Sequence, residues 1–133
     1  MRASVHAREI PQRIKAREES LAKSFIQRAR NDVNRFREML ERARQGDLTP
    51  LSEIERLAHT IHGAGAIFGY PAISASGRAI ERLAAQLVAG RDPPGEHMVI
   101  GQLAEITEQL ALEVEMACGI PPDAGPTLQP RIG

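Results

Sequence analysis

The chain has no tryptophan, and aromatic residues make up only 3% of it. A β-sandwich favours aromatic and β-branched residues, so a core built here from Leu, Ile, Val, Ala and Met suits helix packed on helix. There is a single cysteine, Cys118, so no internal disulfide can form, and its apolar neighbours make it an inert thiol. No run of about 18 apolar residues occurs, which excludes a transmembrane helix. The N-terminus is charged but lacks an apolar signal core, so the expectation is a cytoplasmic protein without membrane contact. A phosphate-cradling Gly-rich loop and a carboxylate cluster for Mg²⁺ are also missing. No intrinsic nucleotide, metal or other cofactor is therefore expected on this chain.

What is present describes one modest domain: 133 residues, of which 42% are hydrophobic. The formal net charge is zero but unevenly placed, with 12 Lys or Arg against 6 Asp or Glu in residues 1–44 and 5 against 11 beyond them. The arginines of the first half are interleaved with acids, and no aromatic platform accompanies them. This charge reads as a solvated helix face biased towards acidic partner surfaces, and not as a nucleic-acid site.

Taken in order, residues 1–17 form a basic arm in which Ile10 and Ile14 suggest a short separate leading helix after a flexible start, with Pro11 near its first turn. From Glu18 to Arg44, Leu21, Phe25, Ala29, Val33, Phe36, Leu40 and Ala43 recur at steps of three or four, the mark of a helix with one buried stripe. Gln45-Gly46-Asp47 supplies the stop, with Gly46 free to turn left-handed. Thr49 is placed to cap the next helix, with Pro50 at its first position. Gly69-Tyr70-Pro71 separates that helix from a third, whose inward stripe is Ile73, Ser76, Ile80, Leu83 and Leu87, with Arg78, Glu81 and Arg82 mostly off it. A loop at 90–95 precedes a last helix, from about Glu96 to Ala117, with Val99, Leu103, Ile106, Leu110, Val114 and Ala117 inward. Residues 119–133 hold four Pro and three Gly, the composition of a disordered tail. Four amphipathic helices on short loops argue for an all-α, antiparallel up-down four-helix bundle at 18–118, with the short extra N-terminal helix ahead of it.

The chemistry concentrates in residues 57–68, Leu-Ala-His-Thr-Ile-His-Gly-Ala-Gly-Ala-Ile-Phe. At about 100° per residue, Ile54, Leu57, Ile61 and Phe68 fall within about 40° of the side opposite His59. Glu55, Arg56, His62, Gly63 and Ala66 share the side of His59, which should face solvent. Gly63 one turn on and Ala66 two turns on keep the space beside the imidazole clear. A mid-helix Gly costs roughly 0.5–1 kcal/mol relative to Ala, and Gly65 adds a second. Bulk removed beside an exposed nucleophile lets another protein approach; close helix packing is the competing reason for such glycines. His59 and His62 are too few to hold a metal, and Thr60 has no base to make it a nucleophile.

The segment Ala58-His59-Thr60-Ile61-His62-Gly63-Ala64-Gly65-Ala66-Ile67-Phe68-Gly69 resembles the signature of the histidine phosphotransfer (HPt) family, Ala-His-Xaa-Leu-Lys-Gly followed by small residues, an apolar residue and Gly. It departs at His62, where the family usually has Lys. The resemblance implies a four-helix bundle and a carrier in a two-component phosphorelay. In it, His59 accepts a phosphoryl group from the aspartyl phosphate of a receiver domain, or from a histidine kinase, and passes it to a response regulator. Mg²⁺ and the aspartate would come from the partner's receiver domain, so the chain itself is not an enzyme. A monomer is expected, with Glu55, Arg56, His62, Gly63 and Ala66 around His59 as the docking surface. A helical adaptor that docks on a receiver or kinase without carrying phosphate is the alternative.

Overall fold

A computed structural model describes the backbone of residues 2–90 and 95–119, and the side chains of residues 12–90 and 95–119. Four helices make up its regular structure: α1 (Arg2–Arg44), α2 (Leu51–Ile67), α3 (Pro71–Val88) and α4 (Glu96–Cys118). Each packs on the next in chain order, and α4 returns to α1, so the four enclose one core. Among the described residues there is no strand.

The core is aliphatic, as the composition requires. Phe36, Ile54, Ile80, Leu103 and Leu110 are completely enclosed, one or two from each helix. Burying such a side chain contributes about 1.5–3 kcal/mol. The scarce aromatics gather at one end, where the Phe25 ring stands 5.7 Å from Phe68 and 6.1 Å from Tyr70. On the outside, α4 is fastened to α1 by two forked ion pairs. Arg37 donates to Glu108 at 2.8 and 2.9 Å, and Arg30 to Glu115 at 2.7 and 3.1 Å.

Two expected helix stops form through glycine in the left-handed region. Gly46 has φ +101°, with Asp47 N–H donating to Arg42 C=O and Gly46 N–H to Ala43 C=O. Gly69 has φ +85°, with Tyr70 N–H donating to Gly65 C=O at 2.8 Å. Each places the residue after the glycine on the carbonyl five positions back, which satisfies carbonyls the helix end would otherwise leave open.

Several expectations need correction. The short leading helix is not a separate element, because the backbone is helical without a break from Arg2 through Pro11 to Arg44. Once the core-packed half of α1 is formed, extending it adds one hydrogen bond for each residue but Pro11, which has no N–H, and residues 12–20 are mostly good helix formers with no glycine among them. Residues 12–21 are exposed, including Leu21, so Ala22 is the first inward residue of α1 among those described. Thr49 does not cap α2: its N–H and hydroxyl both donate to Asp47 Oδ1, at 3.1 and 2.6 Å. Those bonds and the Arg42 guanidinium hold the Asp47 carboxyl down at about 2. On α4, Ile100 and Thr107 are buried as well, while Ile106 and Ala117 pack half-buried against the core, and on α3 Ala84 is buried with Leu83 half-buried beside the core. The Pro/Gly-rich tail (120–133), the middle of the 90–95 loop and the side chain of Ile10 lie outside the described residues.

Thr107 is 1% exposed, and its hydroxyl has no hydrogen-bond partner. A buried unpaired hydroxyl costs about 1–3 kcal/mol. Thr107→Val keeps the shape and removes the hydroxyl, so it should raise unfolding free energy by about 1 kcal/mol. A urea titration that shows no stabilisation would contradict this account of the site.

Candidate functional site

The surface of α2 carries His59 where the period of three to four residues placed it. Leu57, Ala58 and Ile61 are buried around it in sequence, while the His59 side chain is 72% exposed. Its Nδ1 is 2.8 Å from Oε2 of Glu81 on α3. A carboxylate accepts, so Nδ1 carries the proton, and the lone pair of the neutral ring sits on Nε2. Among the described residues, Nε2 has no partner. The arrangement is an exposed imidazole held in one tautomer with its nucleophilic nitrogen free.

Glu81 can reach His59 because α2 and α3 approach closely, and glycines permit it. A Cβ on Gly77 would stand 2.9 Å from His62 N and 3.1 Å from Ala58 O, and one on Gly65 3.0 Å from Ser74 N. These are backbone contacts that cannot yield by a side-chain rotation. Gly63 is different: a Cβ there would meet nothing within 4 Å. Close packing therefore explains Gly65 and Gly77 but not Gly63, whose missing side chain leaves open space one turn from His59.

His62 is half-buried and bound to α3. The Ser74 hydroxyl donates to His62 C=O at 2.7 Å, so the His62 Nδ1–H is the donor towards Ser74 Oγ at 2.9 Å and Ser74 C=O at 3.1 Å. This sequence-predicted site residue is thus also a brace between the helices. Thr60 turns its hydroxyl back to Arg56 C=O, as a spacer would.

Of the remaining residues expected on this face, Ala66 is exposed and Glu55 half-buried. Arg56 is exposed but engaged, donating to Glu53 at 2.7 and 3.2 Å, while Arg35 of α1 also donates to Glu53 at 3.0 Å. The Arg56 bond, then the nearby charges of both arginines, hold the Glu53 carboxyl below its usual range. Beneath them Asp32 is buried, and burial pushes its carboxyl up despite the Arg35 guanidinium 3.8 Å away. No group of three or more His, Cys, Asp or Glu side chains among the described residues could hold a metal ion, and no described helix is long and apolar enough to cross a membrane.

Sequence reasoning missed Glu81 and Gly77. Both lie on α3, and their meaning depends on how α3 is rotated against α2. The signal available was a helical Gly with no turn to explain it, four residues before an off-stripe carboxylate.

Opposite responses to alanine are expected at two helical glycines. Gly77→Ala should destabilise by about 1–3 kcal/mol through overpacking against backbone, whereas Gly63→Ala should stabilise by about 0.5–1 kcal/mol. Paired denaturant titrations measure both; a loss of stability in Gly63→Ala would return that glycine to a packing role.

A protein-family model described as the Hpt domain matches residues 20–117. No curated protein and no solved structure matches the chain.

Proposed function

Because the chain belongs to the Hpt domain family, whose members serve phosphotransfer in two-component signalling, we propose that it is a phosphoryl carrier with His59 as the acceptor. The observation that carries this reading is the 2.8 Å contact between His59 Nδ1 and Glu81 Oε2 on an otherwise exposed ring. In the proposed reaction the Nε2 lone pair attacks the phosphorus of an aspartyl phosphate on a receiver domain. The N–P bond forms as the P–O bond breaks, and the aspartate leaves with the electron pair. No proton has to leave the attacking nitrogen, and the Nδ1 proton remains shared with Glu81. Metal chemistry belongs to the receiver, which would bring Mg²⁺; the reverse steps deliver the group to a response regulator. Phosphoryl transfer depends chiefly on positioning and electrostatics. The carrier's share is to hold a neutral imidazole in line, and the partner supplies the rest.

In this reading the bundle of residues 18–118 is the carrier unit, monomeric and cytoplasmic, with the basic arm of residues 1–17 ahead of it and the tail of residues 119–133 behind. An antiparallel up-down arrangement belongs to the reading. It is supported by the pairing of Arg30 with Glu115 and Arg37 with Glu108, in which rising numbers on α1 meet falling numbers on α4. Glu55, Arg56, His62, Gly63 and Ala66 form the docking face. The Gly63 space admits the receiver, and Arg56 arrives already oriented by Glu53.

Incubation with a phosphorylated receiver domain should transfer an acid-labile, alkali-stable label to the wild type and none to His59→Gln. Gly63→Gln should retain the fold and lose transfer by roughly tenfold or more, as a misplaced reacting pair does. Binding to the receiver without label on any variant would favour the non-phosphorylated adaptor.

His62 stands on this face where the family usually has Lys, and an imidazole in general is cationic only part of the time. It is proposed to act as a part-time cation beside the phosphoryl group, its Nδ1–H staying on Ser74 whether or not Nε2 is protonated. His62→Lys should then flatten the pH dependence of phosphohistidine lifetime between about pH 6 and 8. An unchanged profile would leave His62 with its bracing role alone.

A further inference from the structure

Phosphorylation of His59, the reading on which this inference rests, sets about two negative charges beside the Glu81 carboxylate that orients the ring. Two like-charged groups on one imidazole repel, and the surface needs a cation to offset them. The arginines on the α1 side are committed. Arg35 and Arg56 both serve Glu53, and Arg28 contributes its charge to buried Asp32. On α3 the situation differs: Arg78 and Arg82 are exposed, and no described carboxylate pairs with either.

Arg78 is the better placed of the two. It stands four residues after Ser74, which is bonded to His62, and three before Glu81, which is bonded to His59. At about 100° per residue it lies about 60° round α3 from Glu81, towards solvent, and about one turn from both contacts along the axis. Arg82 lies about 100° round. Arg78 directly follows Gly77, at which a Cβ would stand 2.9 Å from His62 N and 3.1 Å from Ala58 O, so its backbone adjoins the turn of α2 that carries His59, and a long side chain from there has the reach to cover the space over His59 and His62. Its planar fork matches the oxygens of a phosphoryl group.

We propose that Arg78 is a second phosphoryl-contacting cation of this protein beside His62, closing over phosphorylated His59 from α3. In the unphosphorylated state it remains in solvent; once the N–P bond has formed, its N–H groups donate to the phosphoryl oxygens. It stabilises the loaded carrier and takes no part in bond making.

The test is the equilibrium partition of labelled phosphate between the carrier and a purified receiver domain, for wild type, Arg78→Ala and Arg82→Ala. A residue that acts only in docking changes the rate of approach to equilibrium and leaves the partition alone. Arg78→Ala is expected to shift the partition towards the receiver by about three- to tenfold, the effect of one exposed charge-assisted contact. Arg82→Ala, the same change in net charge, is expected to stay within about twofold of wild type. An Arg78→Ala partition equal to that of wild type, or equal shifts in both variants, overturns the proposal while His59 still carries label. A wild type that takes no label at all overturns the phosphotransfer reading, and this proposal with it.

Discussion

The close approach of α2 and α3 is the constraint on which the site depends. Gly77 admits the backbone of Ala58 and His62, and Gly65 admits Ser74. Only at this separation can Ser74 exchange bonds with His62 and Glu81 reach the ring of His59. A Cβ at Gly77 or Gly65 would push α3 away from α2 and lengthen the 2.8 Å contact that fixes the His59 tautomer. The helix pair nearest the chemistry is therefore also the pair with least tolerance for added volume. By contrast, α1 and α4 are held on their outer side by arginine–carboxylate forks, which bend easily and are worth about 1 kcal/mol or less each.

That division suits the proposed carrier. An exposed imidazole has few ways to be rigid, since a 72% exposed side chain is not packed into place. Here the orientation comes from below, through one hydrogen bond to a helix packed closely on α2. The open space over Gly63 and the free Nε2 leave the upper side to whatever docks. Burial does the orienting, and exposure does the exchanging.

Much of this was legible in the chain, and the limits have physical causes. The exposure of His59 follows from Ile54, Leu57 and Ile61 at helical spacing, because an apolar stripe fixes which side faces out. Gly46 and Gly69 end helices as written, since only glycine enters the left-handed region freely. What a period does not carry is the rotation of one helix against another. Leu21 belongs to its stripe yet stays exposed, because α1 begins to pack only at Ala22, and Ile106 is only half-buried against the core, because α4 turns Thr107 inward. Glu81 sits 22 residues from His59 and reads as a surface acid until α3 is docked. The glycines show the same limit: one rule described Gly63 and Gly65 alike, and only the neighbours separate the one that makes room for backbone from the one that makes room for nothing in this chain.

That last distinction bears on descent. Helix propensity favours almost any residue over glycine at position 63, and the bundle raises no steric objection. In the proposed carrier the reason for a glycine there lies outside the chain, in the surface that docks on this face. In a lineage that lost its exchange partner, Gly63 would be among the first positions to drift, while Gly65 and Gly77 stayed behind to keep the helices together. A descendant with a filled position 63 on an intact bundle would be a fossil of the carrier, recognisable by fold and retired from its trade.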